Sequence, residues 1–140
     1  MAFHRVNLRM TVNSFMDDAV VTEALEWLTF PDVEIQRDRA TSYHGSSFHV
    51  LHIELTKKKE IRQFFENVKV FLIEDILDQL EQRLDEQNVV HFRIDAEQLM
   101  KKTIHAQRNK TQHVLKCEAK LAVFPQQNPI EIFREYILSG

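Results

Sequence analysis

Three consecutive lysines, Lys57, Lys58 and Lys59, join a strand-like run to an amphipathic helical run in "LHIELTKKKEIRQFFENVKVFL", which spans Leu51 to Leu72. The first turn of a helix carries partial positive charge, so each lysine there costs a few tenths of a kcal/mol. Two readings follow. The run, with Arg62 just beyond it, could meet an anion such as phosphate. It could equally be a solvated corner, with Glu60 offsetting the charge. A second basic stretch runs from Gln98 to Cys117, which contains no acid but holds Lys101, Lys102, Arg108, Lys110 and Lys116. Arg108 and Lys110 fall at the tip of a polar loop, a position from which phosphates are easily reached. An ordinary solvated hairpin end has the same composition.

The remaining reactive residues point away from catalysis. His49 and His52 stand three apart in a strand, so their side chains leave opposite faces and cannot readily share a metal. His44, His105 and His113 fall in loops or at strand ends. Cys117 lies on the inward face of its strand and reads as core rather than nucleophile. Asp17-Asp18 and Glu74-Asp75 suit helix dipoles or solvent better than acid/base work. With two glycines in the chain, Gly45 and Gly140, the phosphate-cradling loop and the dinucleotide fingerprint are both excluded. One cysteine excludes an internal disulfide and a cysteine-cluster zinc site. No catalytic residue, metal or cofactor is expected.

The net charge of -3 argues against a strongly basic nucleic-acid binder, but the charges are unevenly placed. Glu74, Asp75, Asp78, Glu81, Asp85 and Glu86 crowd one segment, opposed there by Arg83 alone. A dipolar molecule can attract phosphate through its basic side despite a negative total. No apolar run nears the ~20 residues of a membrane span. The N-terminus alternates like a strand rather than a signal peptide. A cytoplasmic protein is the expectation.

Several elements must position these residues. Val6, Leu8, Met10 and Val12 alternate with polar residues and predict a half-buried strand over about residues 4–13. Ser14 and Asp17 resemble a capping box for a helix reaching about Thr29. Strands follow over Asp32–Tyr43 and Phe48–Thr56, joined by a turn at His44–Ser47. An apolar stripe through Ile61, Phe64, Phe65, Val68, Phe71 and Leu72 continues to Leu84, with a break expected near Val68–Val70. Val89–Asp95 reads as the fourth strand, Ala96–Lys102 as a short helical turn and Thr103–Gln112 as a loop. The fifth strand is His113–Phe124. Asn128, Pro129 and Glu131 start a last helix. Trp27 and the phenylalanines mostly fit core stripes.

The predicted fold is therefore α+β: a single domain over residues 1–140, with a largely antiparallel sheet of about five strands and helices on one face. The other face is open to water. It would carry Arg5, Arg9, Arg93, Lys116 and Lys120, which either bind nucleic acid or pair across strands with Glu34, Glu54 and Glu118. Pairing is the expectation. No aromatic row along these strands is placed to stack bases.

The segments "ELTKKKEIRQFFENV", "LEQRLDEQNVVHFRIDAEQL" and "VLKCEAKLAVFP" resemble those of a small archaeal family of predicted exosome-associated RNA-binding proteins. The likeness covers about Arg5 to Leu138. It implies a fold similar to that of large-subunit ribosomal protein five, and loosely to double-stranded-RNA-binding domains, which place lysines at a strand-to-helix junction against phosphates. The strand order differs from that domain, which has three strands between its helices where this chain has two. The resemblance implies a non-catalytic RNA-binding protein, with exosome or ribosome-related proteins as further partners. Its RNA contacts would be Lys57, Lys58, Lys59, Arg62, Lys101, Lys102, Arg108 and Lys110. The alternative is a protein-interaction or homodimerisation module using the acidic helix or a sheet edge.

Overall fold

The computed structural model describes residues 2–13, 16–41, 47–106 and 113–139, the side chains of residues 40, 41 and 47 excepted. Arg108, Lys110, Ser14 and His44 lie outside the described residues.

Strict alternation makes β1 (Phe3–Asn13) the centre of the sheet, with Val6, Leu8, Met10 and Val12 buried and Arg5, Arg9 and Thr11 exposed. It pairs antiparallel with β3 (Ser47–Leu55) on one side and β5 (Val114–Leu121) on the other. The outer strands are β2 (Gln36–Thr41) and β4 (Val89–Asp95), giving the order β2-β3-β1-β5-β4. All strand pairs are antiparallel. The α+β architecture is as the sequence predicts.

The apolar sheet face is covered by α1 (Asp18–Leu28), α2 (Lys58–Phe71) and α5 (Pro129–Leu138). Phe3 of β1 stacks on Phe65 of α2 with ring centroids 4.5 Å apart and meets Phe133 and Tyr136 of α5 edge-on. Phe92 of β4 packs on Phe64 and Phe71. Such pairs contribute about 0.5–1.5 kcal/mol each beyond area burial. Asn67 fastens α2 to α1: its Nδ2 donates to the carbonyls of Leu28 (2.7 Å) and Thr29 (3.0 Å) at the end of α1. Two short helices complete the layer, α3 (Leu80–Arg83) and α4 (Ala96–Met100).

Several boundaries depart from those the local pattern predicts. The cap of α1 is Asp17, whose carboxylate accepts from the Ala19 amide at 2.9 Å. β2 begins at Gln36 rather than Asp32, because Asp32 takes a left-handed turn (φ 63°). β5 ends at Leu121, leaving Phe124 71% exposed, and Trp27 is 41% exposed. Neither ring belongs to the core. The helical run passes through Val68–Val70 without interruption. Its irregularity comes later, as a π turn at Leu72–Ile76 and a 3-10 turn at Leu77–Gln79. The wider π turn absorbs one extra residue. Ile76, Leu77 and Leu80 thereby stay inward while Glu74, Asp75 and Asp78 face solvent.

Candidate nucleic-acid interface

The lysine corner is built at the exit of β3. Leu55 is buried beside Val6, and two residues later the chain turns into α2 with Lys57 at the cap position. Lysine has no acceptor with which to cap amides. Glu60 supplies half of a capping box instead, its Oε1 accepting from the Lys57 amide at 3.3 Å. Lys57, Lys58 and Lys59 are exposed and form no ion pair among the described residues. Arg62 is exposed one turn on, in a cleft between α2 and α5 that Glu66, Lys69 and Tyr136 also line.

The second predicted cluster leaves the sheet from the other end. Register places Leu55 with Val6, and through Ala119 with Val90, whereas Asp95 lies opposite Val114. The chain thus enters α2 where β4 begins and enters α4 where β4 stops. Asp95 caps α4 through the Gln98 amide at 3.1 Å. Lys102 ends it in a left-handed conformation (φ 60°), with its amide on the Leu99 carbonyl at 2.8 Å and the Thr103 amide on the Gln98 carbonyl at 3.0 Å. This is a Schellman ending, a position glycine usually fills. The Lys102 ammonium meets Glu23 of α1 at 3.0 Å, whereas Lys101 is exposed. The structure therefore groups Lys57–Lys59 with Arg62 and assigns Lys102 a partner of its own.

The open sheet face corrects an expectation. Arg5, Arg9, Arg93, Lys116 and Lys120 do not pair with Glu34, Glu54 or Glu118. The reason is register. Glu54 and Glu118 both lie opposite Asn7, and Glu118 next meets His91. Arg5 lies opposite Lys120, whose ammonium donates to the Gln87 carbonyl. Arg9 lies opposite Lys116, and Lys116 opposite Arg93. Charges of one sign thus share a row, and opposite signs stand in neighbouring rows two residues along the strands. Only the strand registers reveal this; the types and spacing within each strand do not. Arg83, in sequence the lone cation of the acidic segment, donates to the His91 carbonyl at 3.5 Å and shares a groove with Arg93 and Lys116. Burial, then the nearby Arg93, lowers its pKa, against an opposing pull from Asp75.

The groups considered for other chemistry fall into structural roles. Cys117 is fully buried, and burial pushes its thiol pKa well up, away from nucleophile character. His52 lies on the open face, 3.3 Å from Asn7 Oδ1, while His49 is opposite Val12 on the other. Asp18 pairs with Arg37 at 3.3 Å. Among the described residues no three histidine, cysteine or acidic side chains gather as a metal site, and no helix is long and apolar enough to cross a membrane.

Fold and charge together define a small α+β domain, helical on one face and carrying exposed basic surfaces. A family model described as RNA binding matches residues 5–121, and the chain belongs to that family. Archaeal relatives agree along nearly the full length. RNA-binding protein PAB1135 of Pyrococcus abyssi is 24% identical over 146 residues, covering 96% of this chain and 93% of the relative. The solved structure of protein AF2318 from Archaeoglobus fulgidus, a DUF54 protein, matches with a TM-score of 0.79 at 31% identity, over 95% of this chain and 98% of that one. A DUF54 protein from Methanothermobacter thermautotrophicus shares the fold with a TM-score of 0.82 at 23% identity, over 98% and 99% of the two chains.

Proposed function

We propose that this protein is a non-catalytic RNA-binding accessory of RNA processing or degradation machinery, contacting phosphates through localised basic surfaces. The observation that carries the reading is the lysine corner. Lys57, Lys58 and Lys59 are exposed at a helix start that disfavours them, and among the described residues no carboxylate forms an ion pair with them. Family membership and the name of the Pyrococcus abyssi relative support RNA as the anion. Arg62 belongs to this surface. In sequence, Lys101, Lys102, Arg108 and Lys110 make a further basic stretch, and Lys102 is freed for it at little cost because its pair with Glu23 is exposed on both sides. Association with an exosome or ribosome-related proteins, in the cytoplasm, is the setting such a surface would serve.

RNA binding measured across a salt series tests this. Affinity should fall linearly in log–log form as salt rises. Replacing Lys57, Lys58 and Lys59 by glutamine should reduce that slope by about two to three, at ~0.7–0.9 for each phosphate left without its lysine. A wild-type protein with no salt-sensitive RNA affinity at low ionic strength contradicts the reading. It would favour a protein-interaction module built on the acidic segment, just before which Val70 and Ile73 are exposed.

A further inference from the structure

The row formed by Gln36, His52, Arg9, Lys116 and Arg93 crosses all five strands in register. At roughly 4.8 Å per strand it is about 19 Å long. Its composition is graded. Gln36 and His52 are hydrogen-bonding groups, with His52 Nδ1 3.4 Å from Gln36 Oε1. Arg9, Lys116 and Arg93 follow as adjacent cations, and Arg83 stands beyond them at the β4 edge. Like charges directly opposite one another destabilise a sheet. Here two such pairs share Lys116, and none of the three cations has an ion pair or side-chain hydrogen bond among the described residues. The nearest carboxylate row contains Glu118, which turns to His91 at 4.0 Å. The arrangement costs stability in the free protein, and a polyanion laid across the row would offset that cost.

We infer that this row is a further RNA-contacting surface, separate from the lysine corner and from the stretch that begins at Lys101, and that it takes the sugar–phosphate backbone of double-stranded RNA. The inference rests on the RNA-binding reading above. Backbone is favoured over bases because the row contains no Phe, Tyr or Trp ring, and its one imidazole, His52, is held between Gln36 Oε1 (3.4 Å) and Asn7 Oδ1 (3.3 Å). Among the described residues, the exposed rings Trp27 and Phe124 lie on α1 and beyond the end of β5. Single-strand readers rely on such rings for stacking. Duplex RNA is recognised by shape, phosphates and 2′-hydroxyls. The cationic end of the row suits phosphates, and the Gln36 amide at the other end can donate to and accept from hydroxyls.

The test compares wild type, Arg9→Gln/Lys116→Gln/Arg93→Gln, and Lys57→Gln/Lys58→Gln/Lys59→Gln. Each is titrated with an RNA duplex of about 16 base pairs, the span of a shape-reading domain, and with one of its single strands, over a salt series. The sheet substitutions are exposed, and a thermal melt should show the variant as stable as wild type or more so, since repulsion is removed. The expected result is tighter binding of the duplex by wild type, with affinity at ~50 mM salt about tenfold or more weaker in the sheet variant and a salt slope smaller by about two to three. If wild type binds the duplex in a salt-dependent way and the sheet variant matches it in affinity and slope, the row is not a contact while the RNA reading stands. Preference for the single strand, with the sheet variant impaired on it, overturns the duplex assignment. Absence of RNA binding by wild type overturns both, and would leave an acidic protein surface as the ligand of the row.

Discussion

Lys116 stands directly opposite Arg93 across the β4–β5 ladder, with no carboxylate among the described residues in ion-pair contact with either. Lys116→Glu would place an acid between Arg9 and Arg93, replacing two like-charge pairs with two opposite-charge ones. Cross-strand pairs of this kind differ by roughly 0.2–1 kcal/mol each. Urea denaturation should therefore show a stability gain of about 1 kcal/mol in this variant. A decrease in stability would mean that the cations are matched in solution by some other group.

Asn67 is the tie between α1 and α2. Asn67→Ala removes two donors from the carbonyls of Leu28 and Thr29 at a part-buried site. The expected loss is about 1–2 kcal/mol, with a fall in thermal midpoint of several degrees. Asn67→Asp should be worse than alanine, because a carboxylate cannot donate and repels both carbonyls. Equal effects of the two variants would show that the amide's hydrogen bonds are not what matters.

The turn before β4 is organised by one carboxylate. Asp85 Oδ1 accepts from the amides of Gln87 (2.8 Å) and Val89 (3.0 Å), and Oδ2 lies 2.7 Å from His91 Nε2. The His91 hydrogen bond, aided by the two amides, holds the Asp85 carboxyl below its ordinary range despite some opposing desolvation. A depressed folded-state pKa means stability that is present above the unfolded value near 3.9 and lost as pH falls through the folded one. Asp85→Asn should flatten the acid limb of the stability curve below about pH 4 and lower stability at neutral pH. An unchanged acid limb in the variant would contradict the assignment.

Lys102 occupies a backbone position that favours glycine. Lys102→Gly relieves a left-handed conformation worth about 1 kcal/mol and gives up a surface pair worth less than that. Thermal melts should show equal or greater stability. RNA affinity should fall less than in the Lys57–Lys59 variant, and a larger fall would move the principal contact to the α4 end of the sheet.

Much of the fold is written in local pattern. β4 occupies Val89–Asp95 as the alternation of Val90, Phe92 and Ile94 requires, and Asn128 caps α5 on the amides of Ile130 and Glu131. Where local pattern misleads, the reasons are identifiable. Val33 joins the core without belonging to a strand, directly after the left-handed turn at Asp32. The helix irregularity sits at Leu72–Gln79, where an inward stripe had to pass a run of acids, rather than at Val68–Val70. The lysine corner was legible because a strand end and a helix start adjoin in sequence. The cation row was not, since Arg9, Lys116 and Arg93 come from three strands and meet only through register. The expected partners were glutamates on neighbouring strands, and register instead sets Glu54 and Glu118 against Asn7.

Ultraviolet crosslinking to RNA, followed by peptide mapping of the wild-type protein, tests the central claim most directly. Crosslinked peptides are predicted from the start of α2, residues 57–62, and from the open face of β1, β4 and β5. Crosslinks confined to the acidic segment between Leu72 and Glu86, with none at the two basic surfaces on RNA that the protein demonstrably retains, would contradict it.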